Sequence, residues 1–73
     1  MNAPASRLAI LVNGKPHQCA PETTLAALLG ELGLAGKKIA VERNGEIVPR
    51  SVHGATVLGA GDRLEVVVAV GGG

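Results

Sequence analysis

Twice in this chain an Asn-Gly dipeptide stands beside short runs of β-prone residues. Asn13-Gly14 follows Leu8-Ala9-Ile10-Leu11-Val12, and Asn44-Gly45 separates Ile39-Ala40-Val41-Glu42-Arg43 from Glu46-Ile47-Val48. Asn and Gly tolerate the positive φ angles of a tight hairpin turn, so each dipeptide commits its flanks to antiparallel pairing. A chain of 73 residues has room for one modest core and no second module, so two hairpins already account for much of the architecture. Prolines bound the pattern. Pro16 donates no ladder hydrogen bond and belongs at a strand start or on an outer edge, while Pro49 ends the second return strand.

Between the hairpins the period changes. Leu25, Leu28, Leu29 and Leu32 fall at i, i+3, i+4 and i+7, one continuous stripe on a helix. Thr23 or Thr24 can cap its first turn, Glu22 lies near its positive end, and Gly33 or Gly36 can end it in a left-handed conformation. Gly30 inside the helix costs about 1 kcal/mol relative to alanine, which burial of the stripe must offset. Beyond the second hairpin, Arg50 to Val57 reads as irregular. Gly59-Ala60-Gly61-Asp62 is a turn cluster, and Leu64 to Val70 is β-prone and apolar on both faces, which suits the middle of a sheet. The order is therefore β-β-α-β-β-β, an α+β chain with one helix across one face of a mixed sheet, which is the β-grasp or ubiquitin-like order. Residues 1–6 read as a small, polar, frayed leader, 7–70 as the domain, and 71–73 as a flexible glycine tail.

Composition narrows the function classes. Without Phe, Tyr or Trp the chain has no ring on which bases could stack, and a net charge of +1 with scattered Lys and Arg gives no basic stripe, so a nucleic-acid partner is not expected. The single cysteine, Cys19, excludes an internal disulfide and points to a reducing cytoplasm. The apolar run at Leu8–Val12 is too short for a signal-peptide core or a membrane span. His17 and Cys19, two apart on a strand, share a face as a Cys-His nucleophile pair would, but a lone cysteine is more often a small buried hydrophobe. One thiol with two distant imidazoles, His17 and His53, lacks the spacing of a zinc site, so no catalytic residue and no metal ligand is assigned. Gly59-x-Gly61 precedes a strand where a dinucleotide fingerprint opens a helix, and reads as a plain turn. The Lys37-Lys38 pair reads as a solvated cationic pair beyond the helix.

The chain's last residues are different in kind. Gly71-Gly72-Gly73 directly follow the strongest strand, so three residues without side chains carry the terminal carboxylate away from the sheet. Pure glycine could follow a narrow channel into another protein's active site. A featureless loose end is the competing reading, and both stand at this point.

A β-grasp order, this chain length and a terminal Gly-Gly resemble the prokaryotic sulfur carriers ThiS and MoaD. Val41-Glu42-Arg43-Asn44-Gly45-Glu46-Ile47-Val48-Pro49-Arg50 is similar to the ThiS hairpin and Val70-Gly71-Gly72-Gly73 to its tail, with similarity from about Leu8 to Gly73. MoaD-like carriers run longer and often have aromatic residues or proline near the tail, which favours the ThiS family. That resemblance implies a carrier in place of an enzyme. A ThiF-like adenylating enzyme would use ATP and magnesium to activate the Gly73 carboxylate, with Gly71, Gly72 and Gly73 threaded into its active site. A cysteine desulfurase would be the indirect sulfur source, and the thiocarboxylate on Gly73 would be delivered to a ThiG-like thiazole synthase. The alternatives are a MoaD-like donor to molybdopterin and a β-grasp interaction module without tail chemistry. Along the last strand Leu64, Val66, Val68 and Val70 share one face, and Val67 and Ala69 are read as outward, on a face for docking partners.

Overall fold

The computed structural model describes residues 7–69. Strand β1 (Leu8–Val12) turns through Asn13-Gly14 into β2 (Lys15–Cys19), followed by helix α1 (Leu25–Glu31). Next come β3 (Ile39–Arg43), β4 (Glu46–Ile47), a 3₁₀ segment (Arg50–Ala55) and β5 (Arg63–Val68). The strands lie in the order β2-β1-β5-β3-β4, with β5 parallel to β1 and antiparallel to β3. Strand β5 is thus central, and Pro16 sits on an outer strand where its missing N–H is tolerated.

Each element follows from local chemistry. Both Asn-Gly pairs take left-handed backbone: φ is 52° at Asn13 and 81° at Gly14, 53° at Asn44 and 88° at Gly45. Thr24 is the helix cap, its hydroxyl accepting a hydrogen bond from the Ala27 N–H at 3.1 Å. Glu22 does not reach the helix's first turn; it takes a left-handed φ of 66° in the turn before the cap. After the helix, Gly33 adopts φ 77° and Leu34 N–H bonds back to the Leu29 carbonyl at 2.8 Å. The leucine stripe is buried as its spacing requires: Leu25, Leu28 and Leu29 pack with Ile10, Cys19, Val41, Leu58, Leu64 and Val66 in one core, and Leu32 against its edge. Truncating any of these leaves a cavity in a core too small to absorb it.

Arg50 to Val57 is not irregular. Pro49, with φ fixed at −60°, starts the 3₁₀ segment, and Val52 N–H bonds to the Pro49 carbonyl at 3.0 Å. Inside it His53 is buried, with Nε2 3.0 Å from the Val48 carbonyl, and the Thr56 hydroxyl bonds to the Val52 carbonyl at 2.7 Å. An isolated antiparallel bridge then ties Thr24 to Val57, with Leu25 N–H on the Thr56 carbonyl and Leu58 N–H on the Thr23 carbonyl. These contacts join the start of α1 to the chain entering β5. Two strands are shorter than their sequence runs: β4 ends at Ile47, although Val48 N–H still bonds to the Val41 carbonyl at 2.9 Å, and β5 ends at Val68.

Candidate functional site

Whatever follows β5 is aimed by β5, so the site begins with how that strand is fixed. At its entry, Asp62 is buried and gathers three donors: the Gly59 N–H at 2.8 Å, Arg43 Nε at 2.9 Å and Asn44 Nδ2 at 3.1 Å. Burial alone would push this carboxyl up, but the Gly59 N–H, the Asn44 amide and the Arg43 guanidinium outweigh it and hold it below its ordinary value near 3.8. Arg43 also donates to the Val57 carbonyl at 3.2 Å, and Arg63 N–H donates to Asn44 Oδ1 at 2.9 Å. On the other edge Asn13 holds Val66 from both sides: its Oδ1 accepts the Val66 N–H at 2.7 Å and its Nδ2 donates to the Val66 carbonyl at 3.1 Å. At the exit, Ala69 N–H bonds to the Lys38 carbonyl at 2.8 Å, which keeps the chain on the sheet's path beside β3.

The sheet's period of two then decides what faces outward. Leu64 and Val66 point into the core under α1, so Glu65, Val67 and Ala69 point away from it. Val67 is 63% exposed, and Ala69 is exposed too. Register sets Ala40 opposite Val67 and Glu42 opposite both Glu65 and Ile47, the last also 63% exposed. Leu11 continues the surface across β1. The outward face thus exposes Val67 and Ala69 beside Ala40, while Ile47 and Leu11 lie beyond the Glu42 and Glu65 carboxylates, with Leu11 next to Arg63. Gly71, Gly72 and Gly73 lie outside the described residues, as does Val70.

The other polar candidates do not gather. Cys19 is 1% exposed and belongs to the core, where it acts as a small apolar group. His17 lies on the same face two residues away, and His53 is buried across the molecule against Val48. Among the described residues no group of three or more His, Cys, Asp or Glu side chains could hold a metal ion. Nor is any described helix long and apolar enough to cross a membrane. The residues that aim β5, namely Asn13, Arg43, Asn44 and Asp62, read in the sequence only as turn and strand residues.

A five-stranded mixed sheet with one α-helix on one face, leading into its last strand at the centre, defines a β-grasp, ubiquitin-like domain. The crystal structure of the thiamine biosynthesis protein ThiS from Geobacter metallireducens superposes with a TM-score of 0.77, at 35% identity over 90% of this chain and 100% of that one. The ThiS family model matches residues 10–73, and the chain belongs to the ThiS family. Two curated relatives are thiazole synthases. That of Magnetococcus marinus is 50% identical over 64 residues, and that of Paramagnetospirillum magneticum 45% identical over 64 residues. In both cases the match covers 88% of this chain and 20% of the relative, so the chain spans one fifth of the length of these proteins.

Proposed function

We propose that this chain is a sulfur carrier for thiamine thiazole formation and that the sulfur is carried on the carboxylate of Gly73. The observation that supports this best is membership of the ThiS family with a match that runs through residue 73. An α-carboxylate is ionised at neutral pH and, as an anion, resists nucleophiles, so it needs activation. A ThiF-like partner holding ATP and magnesium supplies it: the carboxylate oxygen attacks the α-phosphorus, pyrophosphate leaves, and an acyl-adenylate results. The outer sulfur of a persulfide made by a cysteine desulfurase then attacks the carbonyl, a C–S bond forms and the C–O bond to AMP breaks. A second thiol attacks the inner sulfur of the resulting acyl disulfide, the S–S bond breaks, the donor leaves as a disulfide with that thiol, and a thiocarboxylate remains. This chain supplies the reacting carboxylate and no catalytic side chain, so it acts as a co-substrate.

The acceptor is a thiazole synthase of the kind the two curated relatives are named for, and their names favour thiazole over molybdopterin as the destination. The outward face around Val67 and Ala69 is the docking face, offering Ala40 with them to an apolar counterpart and the Glu42 and Glu65 carboxylates beside them to a polar rim. ATP-dependent charging and an unpaired cysteine both fit the cytoplasm.

The test is charging. Each variant is incubated with the adenylating enzyme, ATP and a sulfur donor, and intact mass is read for replacement of one oxygen by sulfur. The chain ending at Gly73 should charge. One residue added after Gly73 replaces the carboxylate with an amide, and deletion of Gly73 leaves the carboxylate about 3.5 Å short, a displacement that forfeits positioning. Gly72→Val should block charging by filling a channel made for glycine. Equal charging of the extended or shortened chains would remove the carrier reading.

A further inference from the structure

β5 is hydrogen-bonded unevenly along its two edges. Its odd-numbered residues face β3, in a ladder bracketed by Asn44 N–H on the Arg63 carbonyl and Ala69 N–H on the Lys38 carbonyl, both 2.8 Å. The even-numbered ones face β1: Leu11 N–H bonds to the Asp62 carbonyl at 2.9 Å and Asn13 N–H to the Leu64 carbonyl at 2.8 Å. Strand β1 ends at Val12, and the Asn13 side chain extends the pairing by one step, to Val66. There it stops. The next even-numbered residue is Val68, whose N–H and C=O face that same open edge with no partner among the described residues.

Directly beside this open edge, on the helix side of the sheet, is an open groove of about 490 Å³ with apolar walls from Val12, Leu32, Leu34, Val66 and Val68. Lys15 and His17 line it as well, and no Asp or Glu does. His17 Nε2 is buried without a hydrogen-bond partner among the described residues.

We propose that this edge and groove form a strand-addition site for an extended segment of a partner protein carrying an apolar side chain and a carboxylate. An extended peptide is the ligand that presents a donor and an acceptor to the single residue Val68. Its alternate side chains then point to one face, so one of them enters the groove. Lys15, with no acid in the lining to balance it, selects a carboxylate for the segment. A second copy of this chain is a poor occupant: its outer strand β2 carries Pro16 and no carboxylate, and its other outer strand, β4, is two residues long. The site lies on the opposite face from Val67 and Ala69 and does not depend on sulfur transfer.

The experiment selects a random heptapeptide library against the full chain and maps the tightest peptides by amide NMR. Enriched peptides should alternate apolar residues and include Asp or Glu. Their addition should shift Asn13, Lys15 and Val68 and slow exchange of the Val68 amide at least about tenfold. Lys15→Glu, at the exposed first residue of β2, should weaken binding about fivefold or more, and a peptide with Lys in place of its acid should restore it. Val68→Pro removes the open N–H without touching the β3 ladder and should abolish binding; if it fails to fold, Leu34→Asp places a charge in the groove to the same end. Failure to enrich any peptide overturns the proposal, as do shifts confined to the Val67 face or an unprotected Val68 amide. Self-association through Val68 would also overturn it.

Discussion

The two Asn-Gly turns have nearly superimposable backbones and different work. Their asparagines sit at φ 52° and 53° and their glycines at 81° and 88°, so as turns they are interchangeable. The side chains then grip the central strand from opposite edges. Asn13 acts as one extra residue of β1, satisfying both backbone groups of Val66, while Asn44 joins a charged cluster, donating to Asp62 and accepting the Arg63 N–H. A hairpin turn therefore has two separable roles here, closing its own strands and registering a third strand more than fifteen residues away. The first role is a property of the dipeptide and the second of the fold.

Substitutions can pull these roles apart. The largest effect should come from the charged cluster's centre, since Asp62→Asn exchanges an acceptor of three donors for a neutral amide; a loss of about 2–3 kcal/mol is expected in urea denaturation. A loss below about 1 kcal/mol would mean that the backbone turns alone hold the entry to β5. Asn13→Gly keeps the left-handed turn and removes both bonds to Val66, at about 2 kcal/mol, because these groups lie part-buried in a central strand. Asn44→Gly should cost about 1 kcal/mol, since water reaches the exposed Arg63 N–H, and Arg43 and Gly59 remain on Asp62. Equal losses at the two sites would collapse the distinction into turn geometry. The backbone role is isolated by Gly14→Ala and Gly45→Ala, whose new Cβ would meet nothing within 4 Å at either site. Both should cost the same, about 1 kcal/mol of left-handed strain, and unequal melting temperatures would show that the turns differ in more than their side chains.

What the sequence made legible divides along the same line. Features set by neighbours along the chain could be read directly: the hairpins from Asn-Gly, α1 from its leucine stripe and Thr24 cap, and β5's central place from its apolar faces. Period two also put Val67 and Ala69 on one face, and their exposure follows once α1 covers the other. Features set across the chain could not be read. The 3₁₀ segment has no period of its own because Pro49, the Val48 carbonyl and the Thr24–Val57 bridge shape it. Asn13's hold on Val66 spans 53 residues, and Arg43 meets Asp62 across 19, distances at which propensity carries no information. For the tail the position is reversed, since Gly71, Gly72 and Gly73 are legible as sequence and lie outside the described residues.

The smallest effect expected is a change in these losses with pH, and it distinguishes the two asparagines by charge. Asp62 is held below its ordinary value near 3.8 in the fold, because three donors together outweigh its burial. A depressed carboxyl contributes stability that is fully present above its unfolded value and is lost as pH falls through the folded one, so the window lies below about pH 4. Protonation there removes the anion to which Asn44 donates, and the loss caused by Asn44→Gly should shrink. Asp62→Asn should converge on the parent chain in the same window. Asn13 touches only the neutral backbone of Val66, so the loss caused by Asn13→Gly should stay constant across it. Urea denaturation of the parent and the three variants from neutral pH down to about pH 3 gives all three differences, with the other carboxylates cancelling because each variant shares them. If the Asn13 loss narrows in step with the Asn44 loss, the two clamps are not independent and Val66 is registered through the Asp62 cluster. If neither narrows, Asp62 does not change charge down to about pH 3, and the acid limit of the cluster at the entry to β5 lies lower still.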